Sequence, residues 1–325
     1  MFLSTRRIKR FAVIASLLFF PLYAASASSV NQLVVFGDSL SDNGNAYLAS
    51  AGAFPGANYG LYTFAGTALT TSFYTDGPNT TPKAAGPQGL WVDQLAAKLN
   101  VPDPLPYLAG GTNYAVASAL TGTANLQDVG NQVAAYSVTH PAGASPTALY
   151  SFWAGANDIL NGGSPITAAN NIESYIDALS LQGGKNFVWL NLPLLGDTPE
   201  GSVDKTALNA ASIAFNTQWA DDLAVLQGQG VHVTGVNIGA LFSGIVGNPG
   251  LYGFTNVTSP AQTSGAATDA GYLFWDDIHP TTAAHALIAD AVDSSLTATP
   301  EPSTVTLAFL GFAALAGLSM KRRRA

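Results

Sequence analysis

The chain has 325 residues, of which 48% are hydrophobic and only 10% are charged, so it can bury one sizeable core but not two large ones. Eight of its 12 Lys and Arg residues lie in the two terminal segments, whereas all but one of the 20 acidic residues lie between them. Such an acidic central region repels nucleic acid and anionic membranes. The chain has no cysteine, which excludes disulfides and metal sites built on thiolates.

The first 27 residues have the pattern of a secretory signal peptide. Four basic residues precede an apolar run over residues 11–22, and the small residues Ala25-Ser26-Ala27 follow it. This order of segments predicts cleavage after about Ala27. An N-terminal membrane anchor is the alternative, but the apolar run is short for a segment that crosses a bilayer. We therefore predict a signal peptide over residues 1–27 and export of the remainder.

The first strand is predicted at residues 33–36, and Ser39 follows it in a turn of small residues. A hydroxyl at the end of a strand can be presented at the edge of a sheet, where a base can activate it as a nucleophile. The alternative is that Ser39 only caps the helix after this turn. Gly37 would permit a tight turn, and we expect Asp38 and Asp42 to position the loop rather than to react.

Residues 46–110 form a long stretch rich in Gly, Pro, Thr and aromatic residues, with one helix predicted at 90–99. A second loop-rich stretch is predicted at 244–271. We expect both to lie over the carboxyl ends of the strands, where open α/β sheets bind ligands. Six aromatic residues of the first stretch could line an acyl or lipid site or could cover the core: Phe54, Tyr59, Tyr62, Phe64, Phe73 and Tyr74.

The rest of the chain alternates strands with helices. Strands are predicted at 149–153, 187–190 and 231–236, and helices at 168–181, 207–226 and 281–296. This alternation predicts an α/β fold whose parallel sheet is covered on both faces. Asn157 follows the strand at 149–153, and its amide could donate to a developing oxyanion or could serve only as a turn residue.

A histidine that could act as a base lies near the end of the domain, at His279. Asp276 precedes it by three residues, so one short loop can present both side chains, and the carboxylate can fix the tautomer of the imidazole. Asp277 competes for this orienting role. The other histidines carry weaker signals, and no pairing of His or Glu residues typical of a metal site is present. We therefore expect neither a metal nor a cofactor.

Three motifs together resemble those of the GDSL esterase/lipase family (SGNH hydrolases), in particular its phospholipase/lecithinase-like branch. They are Gly37-Asp38-Ser39, Gly155-Ala156-Asn157-Asp158 and Asp276-Asp277-Ile278-His279. The resemblance runs from about residue 30 to residue 296. It implies a flavodoxin-like three-layer sandwich with a central parallel sheet of about five strands. It also implies Ser39 as nucleophile, His279 as base, Asp276 rather than Asp277 as its orienting carboxylate, and Asn157 as an oxyanion donor.

One motif departs from the family pattern. The second block of the family reads roughly Asn-Tyr-Ala-x-Gly-Gly-Ala, whereas this chain has Asn113-Tyr114-Ala115-Val116-Ala117-Ser118-Ala119. The resemblance places Ser118 at the glycine whose N–H is a further oxyanion donor. Any residue except proline can donate its N–H, but a left-handed backbone would cost Ser118 more than glycine. We expect Ser118 to act through its backbone, the alternative being a weaker activity or a narrowed pocket.

Residues 298–325 have three parts: the sequence Pro300-Glu301-Pro302, an apolar run over residues 304–320, and a final basic cluster. The apolar run can just cross a bilayer, with the basic cluster on the cytoplasmic side. This arrangement resembles the PEP-CTERM sorting signal of Gram-negative bacteria. That resemblance implies transient anchoring in the inner membrane, processing by an exosortase-type peptidase, and arrival at the cell surface or in the extracellular matrix. A plain C-terminal anchor is the alternative.

These inferences divide the chain into a signal peptide (1–27), an SGNH/GDSL hydrolase domain (28–297) and a sorting tail with a transmembrane segment (298–325). The family resemblance implies a carboxylic ester hydrolase that forms a covalent acyl-enzyme on a lipid, phospholipid or acetylated-sugar ester. Signal peptidase and the exosortase-type peptidase are its expected processing partners, and nucleic acid is not a partner. The alternative from another functional class is a weakly active or inert hydrolase-fold protein that binds the exopolysaccharide matrix.

Overall fold

The described part of the chain alternates strands and helices as the sequence predicts. A computed structural model describes residues 30–51, 75, 89–265 and 269–297, and the backbone alone of 61–64 and 67–70. Its elements in chain order are β1 (Gln32–Gly37), α1 (Asn45–Ala49), β2 (Leu61–Phe64), β3 (Thr67–Thr70), α2 (Trp91–Lys98), α3 (Val129–Thr139), β4 (Ala148–Trp153), α4 (Ala156–Leu160), α5 (Pro165–Leu181), β5 (Asn186–Leu190), α6 (Lys205–Gly228), β6 (Val233–Val236), α7 (Ile238–Gly247), β7 (Asn256–Pro260), β8 (Tyr272–Phe274) and α8 (Thr282–Thr297).

The central sheet is parallel and has the strand order β1-β4-β5-β6. A short extended stretch, residues 112–116, runs parallel to β1 along its outer side. There the N–H of Val35 donates to the carbonyl of Thr112 at 3.0 Å, and the N–H of Tyr114 donates to the carbonyl of Val35 at 2.8 Å. With this stretch, five segments follow the flavodoxin-like order. The predicted fold class is confirmed.

Two helical layers cover the sheet because its strands are apolar on both faces. Every residue of β4 is buried, and only the first residue of β1 is partly exposed. Continuous apolar strands of this kind are typical of parallel sheets buried on both sides. On one side α2 packs against α8, and on the other α5 packs against α3 and α6. The core thus lies between the helices and the sheet, and the loops at the sheet edge remain free to carry chemistry.

The predicted loop-rich segment at 244–271 is wrong in part. It contains the end of α7, a 3₁₀ turn at Pro249–Tyr252, and β7. Asn237 caps α7 by accepting a hydrogen bond from the N–H of Ala240 at 2.8 Å. Ile238, Phe242 and Ile245 then lie buried at helical spacing. Glycines inside this helix had concealed the pattern.

Several expectations fall outside the described residues. They are the signal peptide, the sorting tail with its span at 304–320, and the proposed role of the six aromatic residues in the first loop-rich stretch, whose side chains the structure does not describe. In the part of the chain that is described, no helix combines the length and the apolar character needed to cross a membrane.

The chain reverses its direction of travel across the sheet at β1. From β1 it continues to residues 112–116 on one side, and then returns to β4 on the other side. Such a switch opens a crevice at the carboxyl ends of the two strands, and open α/β sheets bind ligands there. Ser39 follows β1 and Asn157 follows β4, so the topology brings both residues to this crevice.

Candidate active site

Ser39 and His279 meet in space although 240 positions separate them in the chain. The Oγ atom of Ser39 lies 2.8 Å from Nε2 of His279. His279 lies in the loop between β8 and α8, and this loop folds back on itself because the N–H of Trp275 donates to the carbonyl of His279 at 2.8 Å. The hydroxyl and the imidazole therefore have the geometry of a nucleophile with its base.

The carboxylate of Asp276 holds the other nitrogen of the imidazole. Its Oδ2 lies 2.7 Å from Nδ1 of His279, and its Oδ1 accepts the N–H groups of Ile278 at 2.9 Å and His279 at 2.6 Å. Asp277 is exposed to solvent, and its carbonyl accepts the N–H of Glu200. Of the two neighbouring carboxylates, the structure brings Asp276 to the imidazole.

The pKa values of this pair favour proton uptake by the imidazole. Burial by itself would lower the pKa of His279, but the charge and hydrogen bond of Asp276 outweigh it and raise that pKa above 6.5. Burial would likewise raise the pKa of Asp276, but His279 and the backbone donors bring it below 3.8. A carboxylate that stays ionised beside an imidazole stabilises the imidazolium form.

The end of β1 is fixed by close packing and by one glutamine. A Cβ atom on Gly37 would lie only 2.5 Å from the carbonyl oxygen of Trp153, so glycine is required here by the close approach of β4. Gln132 of α3 accepts the N–H of Gly37 at 3.0 Å and donates to its carbonyl at 2.8 Å. The strand end that presents Ser39 therefore has both backbone polar groups satisfied.

Asp42 joins the Ser39 loop to the second block. One carboxylate oxygen accepts the N–H groups of Gly44 and Asn45, at 2.9 and 2.7 Å. The other accepts those of Ala46 and Ala117, at 3.1 and 2.9 Å. Asp42 is buried and makes no contact with a cation in the described residues, so its partners are backbone groups. It has the contacts of a positioning residue.

Two asparagines, which sequence reasoning did not single out, add to this link. Asn45 donates from its amide to the carbonyls of Asn113 at 2.7 Å and Ala115 at 2.9 Å. Asn113 donates in turn to the carbonyl of Ser41 at 2.7 Å. Both asparagines are buried. Asn113 opens the second block and Asn45 follows the Ser39 loop, which were the available signals, but their partners depend on the packing of distant segments.

Ser118 has a left-handed backbone, with φ of 59°. This is the conformation that costs serine more than the glycine usual at this position of the family pattern. Its side chain is exposed, and it is not among the residues that line the cavity at Ser39. The N–H of Ala117 before it is held by Asp42, and the carbonyl of Ala119 after it accepts the amide of Asn157 at 3.1 Å. Within the described residues, neither the N–H of Ser118 nor that of Ser39 has an acceptor.

Asn157 reaches the same cavity from the end of β4. Gly155 before it has φ of 115°, and a Cβ atom there would lie 2.5 Å from the ring of Phe215. This position therefore requires glycine for both its backbone and its packing. One amide hydrogen of Asn157 is used by Ala119, which leaves the other for a ligand. Asp158 stabilises the neighbouring loop, because its carboxylate accepts a hydrogen bond of 2.8 Å from the hydroxyl of Thr121.

Ser39, Asn157 and His279 line one cavity. Asp38 also borders it, and burial raises the pKa of that carboxyl to about 7. The rest of the wall is largely apolar and includes residues that sequence reasoning assigned no role in a site: Leu40, Trp153, Pro193, Leu195, Phe242 and Phe274. A cavity of this kind joins a few convergent polar groups to an apolar surface, as ligand sites commonly do.

A comparison with known protein families identifies the family of this chain. A model described as GDSL-like Lipase/Acylhydrolase matches residues 33–292. The chain belongs to this family. Its second match, over residues 298–324, is to the PEP-CTERM protein-sorting motif. The family resemblance and the tail resemblance inferred from the sequence are thus both confirmed.

Several known proteins are similar to this chain at low identity. The thermolabile hemolysin of Vibrio parahaemolyticus is 27% identical over 82% of this chain and 64% of its own length. A GDSL esterase/lipase of Arabidopsis thaliana is 26% identical over 78% of this chain and 84% of its own length. The chain spans only 50% of the next relative, from Pseudomonas putida, and 51% of Lipase 1 of Photorhabdus luminescens.

Solved structures of the GDSL family and of an aryl esterase are also similar. A lipolytic G-D-S-L protein from Veillonella parvula has a TM-score of 0.46 and 16% identity, over 82% of this chain and 99% of its own. An aryl esterase from M. smegmatis has a TM-score of 0.43 and 14% identity, over 82% and 99% of the two chains.

The contacts of His285 and His140 are those of structural rather than catalytic residues. His285 is buried, and its Nδ1 accepts the N–H of Trp91 at 3.3 Å. Burial first, and then the nearby His279, lower its pKa to about 3, so it is neutral at physiological pH. His140 stacks on Tyr136 with ring centroids 4.0 Å apart. Across the described residues, no three His, Asp or Glu side chains are grouped so that they could hold a metal ion.

Proposed function

We propose that this protein is an exported serine esterase or lipase that cleaves carboxylic esters through a covalent acyl-enzyme on Ser39. The observation that carries the proposal is the hydrogen-bonded chain from Ser39 through His279 to Asp276, with distances of 2.8 and 2.7 Å. It opens into a largely apolar cavity at the switch point of the sheet. Membership of the GDSL-like lipase/acylhydrolase family supports the same chemistry.

The reaction begins when Oγ of Ser39 attacks the carbonyl carbon of the ester. Nε2 of His279 takes the hydroxyl proton and returns it to the departing alkoxide, so the alcohol leaves and Ser39 becomes acylated. Water then gives a proton to Nε2 of His279 and attacks the acyl carbon, and His279 returns that proton to Oγ of Ser39 as the bond between Oγ and the acyl group breaks and the acid leaves. Asp276 stays ionised throughout and stabilises the imidazolium form of His279.

We propose three donors for the oxyanion in both steps. They are the N–H groups of Ser39 and Ser118, which have no acceptor in the described residues, and the second amide hydrogen of Asn157. Preorganised donors of this kind account for a large share of catalysis in acyl transfer. Because Ser118 adopts a left-handed conformation despite its side chain, the loss of glycine does not remove its N–H.

The apolar wall supports a substrate with a hydrocarbon acyl group. A lipid or phospholipid ester would cover Leu195, Phe242 and Phe274, whereas an acetyl group would leave most of this surface exposed. The hemolysin and lipase names of the relatives are in keeping with such a substrate. We therefore place acylated lipids ahead of acetylated sugars.

The match to the PEP-CTERM motif suggests export to the cell surface. We propose that a signal peptide is removed after about Ala27 in a Gram-negative host. The tail then pauses in the inner membrane until an exosortase-type peptidase cuts near Pro300–Pro302. Intact-mass analysis of the extracellular fraction should find a chain that starts near Ser28 and lacks the basic cluster. Full-tail protein held in the inner membrane would instead favour a plain C-terminal anchor.

Steady-state hydrolysis of p-nitrophenyl butyrate tests the proposed activity. We expect the wild type to turn over this ester, and Ser39→Ala to lower kcat by at least about a thousandfold while the fold persists. Ser174→Ala is a matched control, since Ser174 is exposed on α5 and does not line the cavity, and it should retain activity. Equal activity in wild type and Ser39→Ala would refute the assignment.

A further inference from the structure

A surface groove lies at the carboxyl ends of β5 and β6, outside the catalytic cavity. Three asparagines contribute to its wall: Asn191 directly after β5, Asn216 on α6, and Asn237 directly after β6. No described residue borders both this groove and the cavity at Ser39. The groove is therefore separate from the site at which we place ester cleavage.

The three asparagines are held in place by the backbone around them. Asn216 accepts the N–H of Leu192 at 2.9 Å and donates to the carbonyl of the same residue at 2.8 Å. Asn191 accepts the N–H of Gly239 at 2.9 Å and donates to Oδ1 of Asn237 at 3.0 Å. Their amides are thus fixed before a ligand arrives, which lowers the entropic cost of binding one.

Each of these amides keeps at least one hydrogen for a ligand. An amide nitrogen carries two hydrogens. Within the described residues, the nitrogens of Asn191 and Asn216 each have one acceptor, and the nitrogen of Asn237 has none. Asn191 is only 2% exposed and lines the groove, so the groove is where an acceptor can reach its second hydrogen.

Apolar surface lies beside these donors, and the groove has no cation. Ile213 of α6 is 56% exposed. The ring of Trp219 is fixed because its indole N–H donates to the carbonyl of Trp189 at 3.3 Å. Among the described residues of the wall, the charged one is Asp221, which is exposed. The groove therefore offers hydrogen-bond donors, one carboxylate acceptor and apolar contact, and its charge disfavours an anionic ligand.

We infer that this groove binds a neutral saccharide chain, a function that goes beyond the proposed ester hydrolysis. Sugar hydroxyl oxygens can accept from the three amides, and the C–H faces of the rings can pack on Ile213 and Trp219. A hydrocarbon chain would leave the buried amide of Asn191 without a partner. An anionic polysaccharide would be repelled by Asp221. A neutral saccharide is thus the ligand that satisfies the whole wall.

Affinity electrophoresis of the full-length protein tests this inference, with dextran and hydroxyethyl cellulose as neutral probes and alginate as the anionic probe. We expect a neutral probe, but not alginate, to retard the wild type. Asn237→Asp keeps the oxygen that caps α7 and removes the free N–H₂ group. It should therefore fold and raise the Kd for the neutral probe roughly tenfold, the scale of one lost hydrogen bond. Retardation by alginate, or no retardation by either neutral probe, would overturn the inference.

Two controls separate loss of the groove from loss of the fold. Asn170→Asp makes the same chemical change at an exposed position of α5 outside the groove, and it should leave Kd unchanged. Ile213→Ala should raise Kd about threefold by removing apolar surface, whereas Val225→Ala, on the same helix, 49% exposed and outside the groove, should not. If Asn237→Asp failed to fold, the pair on α6 would decide. Equal effects within either pair would contradict a saccharide site in this groove.

The esterase assay keeps this inference distinct from the proposed function. Asn237→Asp should hydrolyse p-nitrophenyl butyrate at the wild-type rate, and the neutral probe should still retard Ser39→Ala. A wild type that hydrolyses no ester but binds the probe through Asn237 would refute the proposed function and retain the saccharide site. An active enzyme whose retardation is insensitive to Asn237→Asp would refute the saccharide site and retain the proposed function.

Discussion

The two sides of the catalytic cavity are built by different physical means. On the side of β1, β4 and the loop that carries His279, buried polar side chains such as Asp42, Asn45 and Gln132 hold backbone groups through hydrogen bonds of 2.7 to 3.1 Å. On the side of α7 and β8, Phe242 and Phe274 form the wall through packing. The first side fixes atoms at particular positions, and the second sets the size and shape of the space.

This difference predicts two kinds of response to substitution. When a buried polar group loses its partner, its desolvation is no longer compensated. A single substitution on the polar side should therefore cause a large loss of activity. Apolar walls tolerate changes of size with graded effects. Substitutions on the polar side should therefore lower kcat, whereas substitutions on the apolar side should redistribute activity among substrates.

The largest effect on the polar side is expected from Asp276→Asn, which should lower kcat by about 10⁴-fold, because the imidazole loses its correct tautomer. Asp276 also raises the pKa of His279, so its removal should move the acid limb of kcat/KM to lower pH. Asp277→Asn is the matched control and should change neither quantity. A pH–rate profile of the three proteins provides the measurement, and equal losses for the two variants would remove the assignment of Asp276.

The next effect is expected at Asn157. Asn157→Ala should lower kcat roughly a hundredfold or more, the scale of one lost oxyanion donor, with little change in KM. Asn170→Ala is a suitable control because Asn170 is exposed on α5 and does not line the cavity. Should Asn157→Ala keep wild-type kcat, the amide would have only a structural role in holding Ala119.

A smaller effect is expected at Asp42, which positions residues rather than reacting. Asp42→Asn replaces one acceptor oxygen with an N–H₂ group, which would face backbone donors such as those of Ala46 and Ala117. We expect a loss of roughly tenfold or more in kcat as the Ser118 N–H moves, with KM largely kept. Titration of the active sites with a fluorophosphonate distinguishes this from mere instability, which would lower the number of active sites and leave kcat per active site unchanged.

The smallest effect is expected at Ser118. Because its φ of 59° is costly for a residue with a Cβ atom, Ser118→Gly should relieve up to about 1 kcal/mol of strain and keep or raise activity. Denaturant unfolding and ester hydrolysis measure the two quantities. A folded but inactive Ser118→Gly variant would show that the hydroxyl acts in the reaction and that the backbone-donor account is wrong.

The polar side of the cavity was the more predictable of the two. Asp276 and His279 lie in one loop, and Ser39 directly follows a strand, so local spacing was enough to single them out. The supporting contacts of Gln132 and Asn45 were not predictable, because their partners lie 95 and 68 positions away along the chain.

The apolar side could not be separated from the core by sequence. Phe242 and Phe274 have the same spacing and hydrophobicity as residues that only pack, and α7 was itself partly assigned to a loop because glycines interrupt it. Whether an aromatic ring faces a cavity or a neighbouring helix depends on how α7 and β8 meet. That arrangement is a property of tertiary packing rather than of local pattern.

The central claim is that Ser39 is the nucleophile, and labelling with a fluorophosphonate followed by peptide mass spectrometry tests it most directly. The account predicts one adduct, on the Oγ atom of Ser39, which disappears in Ser39→Ala and forms more slowly in Asp276→Asn. An adduct on another residue, or labelling that survives in Ser39→Ala, would contradict it.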